Sequence, residues 1–141
     1  MFENLEKYTD RGEFIFNRDE KLVKACNAPR NKGGIYLVYS LINDKENLIY
    51  IGSSGKIKSD GSLKIRVGGM SDRIVNGKQC EVPRRNYWPK KMKEEEIESI
   101  KVKWFTTLNE ELKDIPANIE GNLIQEYYNE FICLPSWNKE Y

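Results

Sequence analysis

The sequence predicts an α+β fold: a small antiparallel β-sheet with a three-stranded core, flanked by helices. Three observations lead there. Two Ile/Leu/Val/Tyr-rich runs of strand length, Gly34 to Ser40 and Leu48 to Gly52, flank the polar NDKEN, which is hairpin chemistry. A later run, SIKVKWFTTL, alternates apolar and polar residues and places Ile100, Val102 and Trp104 on one face of a third strand. Helical patterns lie between and after these strands. The longest, ANIEGNLIQEYYNEF behind Pro116, repeats Ile119, Leu123, Tyr127 and Phe131 at i+4 steps.

Taken in order, residues 1–25 carry apolar positions at Leu5, Tyr8, Phe14, Phe16, Leu22, Val23 and Ala25, which fits one or two helices. They form an expected N-terminal helical extension over residues 1–32. CNAPRNKGG, with a proline and paired glycines, separates it from a main domain over residues 33–141. After the hairpin, Ser53 to Ser62 is a polar, Gly-rich loop, and LKIRV alternates like a short strand until Gly68 and Gly69 end it. MSDRIVNGK then forms a short helix with Gly77 past its end. The basic, aromatic EVPRRNYWP leads into the helical KKMKEEEIE, and LPSWN leaves the final helix.

A length of 141 residues suits one domain with a real core, and a composition 32% charged and 39% hydrophobic points to a globular chain rather than a disordered one. No apolar run approaches the roughly 20 residues of a membrane span. The opening MFENLEKYTDRGEF is too acidic and broken for a signal peptide, so a cytoplasmic protein with no membrane partner is expected. Cys26, Cys80 and Cys133 are too few and too far apart for a disulfide framework or a zinc cluster. The chain has no histidine, which excludes a Ser-His-Asp triad, a Cys-His pair and any His-held metal. Chemistry must therefore come from carboxylate, Tyr, Lys, Arg, Ser or Cys.

Net charge is +1, but it is unevenly spread. Lys56 to Lys93 holds eleven Lys and Arg against Asp60, Asp72 and Glu81, and the remainder holds 12 basic and 19 acidic residues. Such a basic segment suits a phosphate-binding face, although charge runs are commonly only solvated surface. Glu120 projects from the apolar face of its own helix. A carboxylate there needs a cation, a metal or hydrogen-bond donors, because burying it bare is costly. Gly121 beside it costs about 1 kcal/mol relative to Ala in mid-helix, and permits something to approach closely.

Tyr36 and Tyr50 would be ordinary strand residues but for their company. Gly34-Ile35-Tyr36 and Tyr50-Ile51-Gly52 spell GIY and YIG across one hairpin. An Arg on a helix follows, then a Glu on a later helix, then Pro135-Ser136-Trp137-Asn138. In these features, from Gly33 to Asn138, the chain resembles the GIY-YIG nuclease family. The resemblance implies that Tyr36 and Tyr50 face the scissile phosphate and that Gly34 and Gly52 support close backbone approach. It implies that Glu120 is the single metal ligand, holding one Mg²⁺ or Mn²⁺, and that Asn138 ties the C-terminal end to the site. Two residues compete for the family arginine. Arg73 is preferred because Gly68 and Gly69 would end any helix carrying Arg66. Family members often follow that arginine with His, Tyr or Lys, a place that Lys78, Lys56 or Lys64 would fill here.

The implied activity is DNA endonuclease action on duplex or branched DNA, with restriction-type relatives resembling the chain more than DNA-repair or homing types, and with homodimers one way to cut both strands. Lys56, Lys64, Arg84, Arg85, Lys90 and Lys91 are the expected DNA contacts, with Gly52 at the phosphate, while Tyr87 and Trp88 either stack on bases or pack beneath the basic surface. Two rivals stand beside this reading: a nucleic-acid-binding module of the same fold without cleavage, and a small protein-interaction domain whose Glu120 pairs with a local Arg.

Overall fold

A computed structural model describes residues Met1–Tyr141. A 3-10 turn, Glu3–Lys7, precedes strand β1 (Arg11–Asn17) and a four-residue helix α1 (Leu22–Ala25). The hairpin strands follow as β2 (Gly33–Ile42) and β3 (Lys45–Ser54), then a minor hairpin β4 (Lys56–Ile57) and β5 (Leu63–Lys64). Helix α2 (Gly69–Asn76), strands β6 (Lys78–Gln79) and β7 (Val82–Pro83), helix α3 (Arg84–Glu94), strand β8 (Ser99–Leu108) and helix α4 (Pro116–Phe131) complete the chain.

The main sheet is antiparallel in the order β1-β8-β2-β3. The fold is thus α+β, but the sheet has four strands where three were expected. The fourth comes from residues 1–32, which hold a strand where a helical extension was expected: β1 pairs along β8 from Arg11↔Phe105 to Asn17↔Ser99. Phe14 and Phe16, two apart, are both buried while Glu13 and Ile15 between and beside them are exposed. Period-two burial is strand patterning, and the apolar residues on either side support only a 3-10 turn and one helical turn. LKIRV is likewise mostly irregular, with only Leu63 and Lys64 in strand and Val67 96% exposed. The expected apolar face of α4 stops at Ile124; Phe131 lies 50% exposed against the Tyr127 ring, centroids 4.6 Å apart.

The β2–β3 turn places Asn43 (φ 51°) and Asp44 (φ 62°) in the left-handed region, the two-residue geometry that Asn and Asp tolerate and that matches strand twist. Gly34 lies where a Cβ would stand 1.9 Å from the Phe105 carbonyl oxygen, so glycine lets β8 close on β2. Alternation along the strands builds two cores. Tyr36, Val38, Ile100, Val102, Trp104, Phe14 and Phe16 pack with Met70, Ile74, Trp88 and Trp137 on the α2/α3 side. Ile35, Leu37, Ile51 and Phe105 pack with Leu123 and Ile124 of α4 on the other. No helix is long and apolar enough to cross a membrane. Because β3 is an edge strand, groups from both faces of the sheet can meet around it.

Candidate active site

Tyr36 points to the α2/α3 side from β2 and is fully buried. Its ring lies over Gly52, where a Cβ would stand 2.6 Å from ring carbons Cε2 and Cζ. That contact explains the glycine of YIG: a side chain there would evict the tyrosine of GIY. The Tyr36 hydroxyl is buried with no hydrogen-bond partner. Burial pushes its phenol up to about 12, opposed by the charge of Arg84. Tyr50, half-buried on β3, sits with its ring centroid 6.3 Å from that of Tyr36.

Arg84 organises this pair from beneath. It was expected at a DNA surface, but it is only 1% exposed, with its guanidinium carbon 5.6 Å from the Tyr36 ring centroid and 5.4 Å from that of Tyr50. Nη2 donates to Tyr50 Oη (3.0 Å), Nη1 to the Arg73 carbonyl (2.7 Å) and Nε to Gln79 Oε1 (3.1 Å). No carboxylate lies in ion-pair range of it. Helix α3 begins at Arg84 directly after Pro83, so PRRNYW is a helical first turn rather than a loop. Residues at i, i+3 and i+4 share a face, which turns Arg84, Tyr87 and Trp88 inward and Arg85 outward. Tyr87 and Trp88 therefore pack beneath the surface and are not placed to stack on bases. Trp88 Nε1 donates to the same Gln79 oxygen, and Gln79 Nε2 donates to the Trp137 carbonyl (3.3 Å). The spacing of Arg84, Tyr87 and Trp88 was the available sequence signal for this buried cluster.

A cleft of about 330 Å³ opens at the edge of β3, lined by Tyr50, Ser53, Arg73, Glu120, Asn138 and Tyr141 among others. Arg73 comes from α2, Tyr50 from the edge strand and Glu120 from α4, so three of the expected residues converge although their helices pack on opposite faces of the sheet. Glu120 is half-buried there. Tyr141 lies across it: burial and the Glu120 carboxylate push the Tyr141 phenol up to about 12, and Tyr141 Oη donates to the Ala117 carbonyl (3.3 Å). A Cβ on Gly121 would stand 3.3 Å from that hydroxyl, so Tyr141 packs closely beside this mid-helix glycine. Asn138 clips the tail to β3 in both directions: the Ile51 N–H donates to its Oδ1 and its Nδ2 donates to the Ile51 carbonyl, each at 3.0 Å.

A second cleft, also about 330 Å³, adjoins the first through Ser53 and Arg73 and holds Lys56, Lys64 and Arg66. Arg66 precedes α2, outside any helix, and pairs with Asp72 at 2.6 Å. Of the two candidate arginines, Arg73 alone lines the tyrosine cleft. Lys78 is exposed on β6 and lines neither cleft, so it stands apart from the position expected of a histidine substitute. Arg85 is exposed and donates to Asn76 Oδ1, Lys90 is exposed, and Lys91 is paired with Glu95 at 3.0 Å; all three lie on α3 outside both clefts.

No three or more His, Cys, Asp or Glu side chains gather as a metal cage. The carboxylates lining the tyrosine cleft are Glu120 and Glu140. That donor set fits a hard cation that keeps most of its water and takes one or two carboxylates, as Mg²⁺ does. It does not fit zinc, which wants four protein N or S ligands in a structural site. Compared with known proteins, the chain matches no family model, no curated protein and no solved structure.

Proposed function

We propose that the chain is a metal-dependent DNA endonuclease of the GIY-YIG type, hydrolysing backbone phosphodiesters of duplex or branched DNA. The observation that carries the reading is the convergence of Tyr50, Arg73 and Glu120 on one cleft at the edge of β3, with Tyr36 packed on Gly52 behind it. Hydrolysis needs a held water, compensated phosphate charge and a stabilised leaving alkoxide. Tyr50 accepts a hydrogen bond from Arg84, which leaves its own O–H to engage the water or a phosphate oxygen. Arg73 supplies a fixed positive charge that counts for more as the phosphate gains negative charge. Glu120, with Glu140 near it, would hold one Mg²⁺ or Mn²⁺; such an ion, when bound, compensates charge on the phosphate and leaving oxygens. Tyr36 keeps Tyr50 in place and contributes an unpaired buried hydroxyl.

A role in restriction or repair, and pairing of two copies to cut both strands, belong to the same proposal. The test is cleavage of plasmid and short duplexes with Mg²⁺ or Mn²⁺, beside EDTA and the Glu120→Gln variant. Discrete products lost in both controls support the reading. If intact protein cleaves neither duplex, branched nor single-stranded DNA, the reading fails and the binding module takes its place.

A further inference from the structure

We infer that the basic cleft beside Arg73 is a second phosphate site, which takes the backbone phosphate adjoining the scissile one on the same strand. The identity of that phosphate rests on the nuclease reading. The anion chemistry rests on the cleft alone.

Four cationic side chains and no carboxylate line it, and with Arg66 paired to Asp72 the charge open to an anion is that of Lys56, Lys64 and Arg73. Two of them, Lys56 and Lys64, are direct cross-strand partners in the β4–β5 hairpin. Like charges directly opposite each other destabilise a strand pair, and an anion held between them removes that penalty. The start of α4 adds to the same field. Ala117 lines the cleft, and α4 begins with no side-chain cap. The Asn118 and Ile119 N–H groups bond to the Ile115 carbonyl and Pro116 has none to offer, so the Ala117 N–H is left free. A free N–H at the positive end of a 16-residue helix favours an oxyanion.

The edge of β3 supplies a further donor. The Ile51 N–H and carbonyl face outward, because Asn138 bonds to both. Alternation in an antiparallel strand turns the Ser53 N–H and carbonyl the same way, and Ser53 lines both clefts. Ser54, also lining the basic cleft, is 5% exposed and its Oγ has no hydrogen-bond partner. A buried hydroxyl left unpaired at the wall of a cationic cleft is a donor awaiting an acceptor. Since Ser53 and Arg73 belong to both clefts, a strand whose scissile phosphate meets Arg73 from one side presents its next phosphate to the other.

The experiment measures binding, not cleavage. The full chain is titrated in EDTA against a labelled duplex and its single strand, with each internal phosphate replaced in turn by a neutral methylphosphonate, and with and without a 5′-terminal phosphate. Lys56→Ala/Lys64→Ala is the variant, both residues being exposed. The expected result has three parts. The variant binds roughly tenfold more weakly at low salt, its salt slope falls by about 1, and the single methylphosphonate that weakens the intact chain has no further effect on it. Additive losses, unchanged binding, or sensitivity only to the terminal phosphate would each overturn the assignment. If the intact chain binds and cleaves DNA while the variant is indistinguishable from it, this site fails and the nuclease reading stands. If the intact chain binds neither nucleic acid, both fail.

Discussion

Tyr36 joins a structural cost to a proposed use. A buried hydroxyl with no partner costs about 1–3 kcal/mol, so Tyr36→Phe is expected to raise stability by about 1 kcal/mol in urea unfolding while slowing cleavage; a variant both destabilised and fully active would contradict the role. Tyr50→Phe is expected to lower the cleavage rate by about 100-fold with the fold intact, measured by single-turnover kinetics beside circular dichroism. Arg84 is a different kind of residue. Its guanidinium has three hydrogen bonds and no carboxylate, so Arg84→Met removes all three and leaves the Tyr50 hydroxyl without its donor, while Gln79 Oε1 keeps Trp88 Nε1 and the Arg73 carbonyl keeps the Gly77 N–H, and a loss of about 1–3 kcal/mol is expected. The sequence marked both tyrosines through the GIY and YIG tripeptides. It did not mark Arg84, because a run of basic residues looks the same whether its first member turns inward or out, and only the helix start at Pro83 decides that.

At the scale of elements, the site depends on parts that were not read as belonging to it. Strand β1 closes the sheet on β8, and Phe16 is fully buried against the α2/α3 core. Phe16→Ala is expected to cost about 3–5 kcal/mol, whereas a helical appendage would tolerate the change; thermal unfolding distinguishes the two. Gly52→Ala sets its Cβ into the Tyr36 ring. Overpacking of that kind costs about 1–3 kcal/mol, and a cleavage defect larger than that of Tyr36→Phe is expected, since the displaced ring also disturbs Tyr50. The hairpin, α2 and α4 were legible because their signals are local: a turn pair, flanking glycines, a proline followed by an apolar stripe. Strand β1 was not, since seven residues of alternation lie among apolar positions that also match a helical period.

For the whole molecule, alkaline pH is the condition that tests the buried tyrosines. A group whose folded pKa is raised above its unfolded value contributes stability that is present below the unfolded value and lost as pH climbs through the folded one. Tyr36 is fully buried and pushed from 10.0 up to about 12. Stability should therefore hold up to about pH 10 and then fall, with Tyr36 contributing about 3 kcal/mol of the loss towards pH 12 and a shallower fall in Tyr36→Phe. Urea midpoints across that range measure both. By itself the sequence determined the α+β class, the hairpin and the long final helix, and it singled out the tyrosine, arginine and glutamate residues on which the proposal rests, because periodicity and short motifs are written in neighbouring residues. Only the tertiary structure decided that β1 joins the sheet, that β3 is its edge, and that Arg73 rather than Arg66 meets Tyr50 and Glu120. Those outcomes depend on which strand finds which partner and on how helices from opposite faces meet around an edge, and such pairings join residues far apart in the chain.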